Sequence, residues 1–165
     1  MSTSRPLPVE ALWRPLPVLG LALMALNDHV LRHRWPGLLT GKISDFAVLL
    51  YLPALLTAVL GLSLLAWNAL AGRLGARTLD PFLSRRKVLA AVVASGLALA
   101  LLKLSPGARD LYLAGLRTVD FLRFSPRYQL MLDTTDLVAL VVLPLAARDG
   151  LAAIRRRELA TLEGT

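Results

Sequence analysis

FAVLLYLPALLTAVLGLSLLAW, residues 46–67, is a run of 22 residues without a charge, and the charge-free stretch continues to Gly72. An α-helix rises ~1.5 Å per residue, so about 20 apolar residues cross a hydrocarbon layer ~30 Å thick. The run is long enough, which predicts a transmembrane helix over 46–68. Three other stretches read the same way. Residues 87–104 form a second apolar run, with Lys103 near its end positioned to snorkel to the interface. Residues 13–31 give a first span with a shorter apolar part, and residues 128–147 give a last one that carries Asp133 and Asp136.

Composition agrees. Of 165 residues, 56% are hydrophobic and 18% charged, with a mean hydropathy of +0.60. Ordinary globular domains run near ~45–50% and ~25%. This excludes disorder and collagen and points to one integral membrane domain over 1–165. The net charge of +8 comes from 16 Arg and 3 Lys against 11 acidic residues. These cations sit in short segments between apolar runs, as topogenic charge and as contacts for anionic lipid headgroups. No basic face is backed by stacking aromatics, so nucleic acid is not an expected partner. Without Cys there is no disulfide, thiol catalysis or Cys-bound zinc. The Arg-over-Lys, Leu/Ala-rich usage suggests a bacterial source. Arg5 precedes an apolar stretch, Pro15–Leu26, but Asn27, Asp28 and His29 follow in place of a small-x-small cleavage site; the stretch reads as an uncleaved span.

Residues 109–124 decide the topology. They carry Arg109, Asp110, Arg117, Asp120 and Arg123 on one helical arc and Leu111, Tyr112, Val119, Phe121 and Leu122 on the other. A charge near a span centre costs ~2.5–3.5 kcal/mol, and each Leu, Phe or Val returns only ~0.3–0.6 kcal/mol. The segment is therefore expected to lie in the interface as an amphipathic helix. The fold class that follows is an all-α membrane protein with four transmembrane helices plus one interfacial helix, the alternative being five spans. With four, both termini face the cytoplasm, and the runs Arg85-Arg86-Lys87 and Arg155-Arg156-Arg157 both fall inside.

A shift of 91 residues aligns Leu31-Arg32 with Leu122-Arg123, Ser44-Asp45 with Thr135-Asp136, and Leu52-Pro53 with Leu143-Pro144. Each copy reads [ST]-D, an apolar helix, then Pro eight residues after the Asp. Ser44 and Thr135 read as N-caps, each Asp favouring the positive end of a helix dipole. Pro53 and Pro144 read as kinks that free the carbonyls of Leu49 and Leu140, and as candidate hinges. The copies run in the same direction with four spans and are inverted, as in many transporters, with five.

The acids are placed by depth. Asp136 lies 12 residues, or about 18 Å of helix, before Arg148, which is inside a ~30 Å core. Asp28 and Asp45 fall at the same outer end of their spans, together with Asp133, His29, His33 and Lys42. Intramembrane ionisable groups face a bundle interior and mark functional sites by default. The candidate polar site is Asn27, Asp28, His29, Lys42, Ser44, Asp45, Asp133, Thr135 and Asp136. Milder roles are open to each: Asp28 can pair with Arg32 at i, i+4, Asn27 can bridge helices, and Lys42 can neutralise Asp45 or Asp28. His29 and His33, also at i, i+4, could share a metal but lack a third ligand, so no metal is assigned. Pro36, Gly37 and Gly41 describe a tight loop. Neither G-x-S-x-G nor H-E-x-x-H occurs, and no cofactor is expected.

At N27-D28-H29 and G41-K42-I43-S44-D45-F46-A47 the chain resembles a group of uncharacterised bacterial multi-span membrane proteins, in which N-D-H ends one helix and G-K-[IL]-S-D-F-A opens the next. The likeness covers roughly 26–53. It implies membrane location and a shared polar constellation, with no assigned activity. A fainter likeness is to small VanZ-like membrane proteins.

The leading expectation is a small inner-membrane protein whose outer-leaflet polar site has a binding or transport-type role for a proton, cation or lipid headgroup. One alternative is a structural or assembly subunit of a membrane complex, with a membrane protein or a second copy as partner. The other is a membrane enzyme acting on lipid-linked substrates.

Overall fold

The computed structural model describes residues 7–35, 37–119 and 133–163. The described residues are helical throughout, joined by short turns and one irregular loop, without a strand. A 3₁₀ turn, Pro8–Ala11, leads into α1 (Pro15–Leu26), a π-helical turn (Asn27–Leu31) and a short α2 (Arg32–Arg34). Then come α3 (Leu38–Leu74), α4 (Arg85–Leu104), α5 (Pro106–Val119), a 3₁₀ segment (Thr134–Val142) and α6 (Leu143–Glu163). Three helical stretches are long and apolar enough to cross a membrane: Leu39–Leu74, Arg85–Leu104 and Thr134–Ala160. Many of their large side chains point outward, among them Leu60, Val93, Leu97, Leu101 and Val141. Apolar surface on that scale is the mark of a lipid-facing protein.

α3 starts eight residues before Phe46. Thr40 accounts for the early start: its Oγ1 donates to the Gly37 carbonyl at 2.8 Å and accepts from the Gly37 N–H at 3.3 Å. That closes the first turn and puts Gly41 inside the helix, leaving only the residues around Gly37 as the loop. At 37 residues, or about 55 Å, α3 outruns any bilayer core. It ends at Gly75, whose φ of 65° is the left-handed C-cap that glycine tolerates best.

Helix directions follow from the contacts. Lys103, at the end of α4, reaches Asp45 and Asp136 near the starts of α3 and the 3₁₀ segment. Leu49, Leu99 and Ala139 pack together one layer further in. At the opposite end Val88, Ile154, Leu83 and Ala11 form a second apolar cluster. There Arg14 makes a two-pronged ion pair with Asp149, Nε to Oδ2 at 2.8 Å and Nη2 to Oδ1 at 2.9 Å. α3 and the 3₁₀–α6 unit therefore run one way, and α1 and α4 the other. Within the described residues, the segments 44–53 and 135–144, aligned by the 91-residue shift, are parallel.

Two expectations need correction, the caps and the Pro144 kink. Ser44 lies inside α3 and Thr135 inside the 3₁₀ segment; the caps are Gly37 and Asp133. Pro144 does not kink a continuing α-helix. It occupies the first turn of α6, where its missing N–H costs nothing, and the Leu140 carbonyl accepts from Leu143 N–H. Pro53 is buried, and α3 continues across it. The last helical unit runs on to Glu163, well past 147. The amphipathic segment begins at Pro106 rather than 109, and 120–132, with Asp120, Phe121, Leu122, Arg123 and the start of the last span at 128, lie outside the described residues.

Candidate polar site

At the shared end of α3, α4 and the 3₁₀ segment, Lys103 is the central group. It is 8% exposed, and its Nζ lies 2.8 Å from Asp45 Oδ2 and 2.5 Å from Asp136 Oδ2. The expectation that Lys103 snorkels outward is thus corrected. Two carboxylates from two different helices hold it inward, and their attraction outweighs hydration of the ammonium at the helix end.

Lys42, one turn before Asp45 on α3, does not neutralise Asp45 or Asp28. Its Nζ donates to Asp136 Oδ1 at 3.0 Å and to Thr135 Oγ1 at 2.5 Å, and it lies 3.8 Å from Asp133 Oδ2. The 3₁₀ winding explains how one lysine meets both acids. The first i, i+3 bond of the segment, from Asp136 N–H to the Asp133 carbonyl at 3.1 Å, draws the capping acid and Asp136 together. The looser rise of ~2.0 Å per residue also moves Asp136 about 3 Å further from Arg148 than α-helical geometry does.

Asp133 closes the start of the 3₁₀ segment. Its Oδ1 accepts from the Thr135 hydroxyl at 2.7 Å and the Thr135 N–H at 2.9 Å. These two bonds, the hydroxyl first, hold its carboxyl below the usual carboxylate range.

A second layer joins α1 to α3. Asn27, fully buried in the π turn, donates from Nδ2 to the Thr40 carbonyl at 2.8 Å and to Ser44 Oγ at 2.7 Å. The π turn gives Asn27 that aim: Arg32 N–H reaches back five residues to the Asn27 carbonyl, inserting one extra residue into the helix. Asp28 pairs with Arg32 at 3.4 Å, and Arg32 Nη2 also donates to Ser44 Oγ at 3.2 Å. Asn27 Oδ1, Asp28 Oδ1 and Asp45 Oδ2 are buried without a hydrogen-bond donor, although the last two are within ion-pair range of Arg32 and Lys103.

Of the residues singled out from the sequence, Lys42, Asp45, Asp133, Thr135 and Asp136 converge around Lys103. Asn27, Asp28 and Ser44 form the adjoining layer. His29 and His33 are exposed and join neither. Among the described residues no three His, Asp or Glu side chains come together as metal ligands. Pro53 and Pro144 lie away from the cluster, Pro53 beside Asp149 and Thr57 in a small cleft at the other end. Lys103 is the member that sequence reasoning missed. The signal was present: a lysine in an apolar run, on the face of α4 that also carries Ser95, Gly96 and Leu99, all buried. No family model, curated protein or solved structure matches the chain.

Proposed function

We propose that this chain is a small polytopic protein of the bacterial inner membrane whose Asp/Lys cluster has a binding or transport-type role for a cationic ligand, a proton or another small cation. The observation that carries the reading is Lys103 held between Asp45 and Asp136 from separate helices. Charge selects the ligand class. Among the described residues, three carboxylates, Asp45, Asp133 and Asp136, stand around Lys103 and Lys42, so one positive charge neutralises that group. An anionic headgroup would add to the excess.

Four spans support this reading best. The helical run from Pro15 to Arg34, about 30 Å long, serves as the first. α4 ends and the 3₁₀ segment begins at the same end of the bundle, by the cluster, and α5 lies along the interface there. In α5 apolar and charged residues segregate, and Leu111 is 76% exposed. Arg73, Arg77, Arg85, Arg86, Arg155 and Arg156 gather at the opposite end, which the positive-inside rule assigns to the cytoplasm. Exposed Trp13 and Trp67 toward that end and Trp35 toward the cluster suit interfacial belts. Single cysteines at Ser105 and Thr161, in a chain with no native Cys, should label from outside and resist outside label respectively. Labelling of both from outside would instead require 105–132 to cross.

The ligand reading is tested on the full chain in lipid nanodiscs. Mild acid, Na⁺ or K⁺ should shift the melting temperature of the wild type, and the shift should vanish in Asp45→Asn and Asp136→Asn. A wild type indifferent to all three, and to anionic lipid, overturns it. A second reading, a structural or assembly element, is favoured by the closure of the network on itself, with both oxygens of Asp136 taken by lysines. It expects the joint Lys103→Leu, Asp45→Asn, Asp136→Asn variant to fold and act like wild type.

A further inference from the structure

Three carboxylates meet the two lysines of the cluster, and their surroundings are unequal. Asp136 is doubly held: Oδ1 accepts from Lys42 and Oδ2 from Lys103. Asp133 accepts two hydrogen bonds from Thr135, has Lys42 at 3.8 Å, and stands toward the outside. Among the described residues Asp45 has Lys103 alone. Its buried Oδ2 touches that ammonium at 2.8 Å, with no well-aligned hydrogen bond from it or from another described residue. Lys103 is itself closer to Asp136, at 2.5 Å, so the carboxylate with the fewest partners also holds the smaller share of the one it has.

The other groups packed around Asp45 do not redress this. From the α1 side, Asn27 gives both Nδ2 hydrogens to Thr40 and Ser44, and Asp28 is engaged with Arg32. On α3 itself, Lys42 turns to the 3₁₀ segment. From that segment Asp136 faces Asp45 across Lys103 and adds negative charge. A buried, unbalanced charge in a membrane protein is costly, and neutralising the member with the fewest compensating contacts removes the excess at least expense.

We infer that the ligand of the cluster is a proton and that Asp45 is the residue that binds it. This rests on the reading of the cluster as a ligand site and names its occupant. The step is a simple transfer: a hydronium ion gives one proton to an Asp45 oxygen, its O–H bond breaking to leave water as the carboxyl O–H bond forms, and Lys103 passes wholly to Asp136. The Asp45–Lys103 link between α3 and α4 is thereby weakened, while the Lys42–Asp136 link between α3 and the 3₁₀ segment stays.

The experiment is infrared difference spectroscopy of the full chain in nanodiscs, between neutral and mildly acidic buffer, where exposed carboxylates stay ionised. The wild type should gain one protonated-carboxyl C=O band. Asp45→Asn should lose the band and Asp45→Glu should move its frequency. In Lys103→Met the band should already be present in neutral buffer. Should Asp45→Asn not fold, Asp45→Glu and the wild type still decide. A band unmoved in Asp45→Glu, or abolished in Asp136→Asn while Asp45→Glu leaves it in place, assigns the proton elsewhere and overturns the inference. A wild type with no such band, but with a melting temperature that responds to Na⁺ or K⁺, overturns the proton alone and leaves the cation site standing.

Discussion

Replacing Lys103 by leucine is expected to be the most damaging single change at the cluster end, costing about 3–5 kcal/mol of stability. The side chain is 8% exposed and touches Asp45 and Asp136, both largely buried. Removing it leaves two carboxylates facing each other with, among the described residues, Lys42 alone nearby, on the far side of Asp136. The penalty is the uncompensated charge rather than the lost contact, so the remedy is specific. Adding Asp45→Asn and Asp136→Asn to Lys103→Leu should return most of the stability, because a neutral trio needs no ammonium. Lys42→Leu should cost less, since Lys42 is partly exposed and Asp136 keeps Lys103. Unfolding of the four proteins in the same lipid environment checks the order. A triple variant no more stable than Lys103→Leu would contradict the account.

Gly20→Leu is expected to separate α1 from α3, at a cost of about 1–3 kcal/mol or more. A Cβ at Gly20 would stand 2.8 Å from Leu50 Cβ, 2.9 Å from the Ala47 carbonyl oxygen and 3.2 Å from Tyr51 N. Two of these are backbone atoms of a continuous helix and cannot move aside, so α1 must. Small residues at such crossings are how membrane helices approach closely. The damage should extend along α1 to Asn27, whose two hydrogen bonds to α3 depend on the same approach. A cysteine pair across the Asn27–Ser44 contact should crosslink readily in the parent and poorly in Gly20→Leu. Gly72→Leu is the control, because a Cβ there meets nothing within 4 Å; it should fold and crosslink like the parent.

Much was legible without coordinates, because the bilayer imposes a one-dimensional rule. A helix that crosses must be long and apolar, and 46–68 and 87–104 satisfy that by composition. The amphipathic segment after Pro106 and the gathering of Asp133, Thr135 and Asp136 with Lys42 and Asp45 at one end followed from periodicity and from span direction. The partners within that gathering did not. Lys42 was near Asp45 and Asp28 in the sequence, yet it bonds Thr135 and Asp136, more than 90 positions away. Lys103 looked free to snorkel until two helices placed carboxylates against it. The π turn at Asn27–Leu31 and the 3₁₀ winding of Thr134–Val142 were invisible as well, since each changes a helix by a fraction of a residue per turn and leaves the hydrophobic pattern intact. Sequence alone determined which segments are apolar and to which end their charges belong, because both depend on local composition. Only the tertiary structure decided which acid meets which base, because an ion pair is settled by distances of a few ångströms between helices that have no fixed relation until they pack.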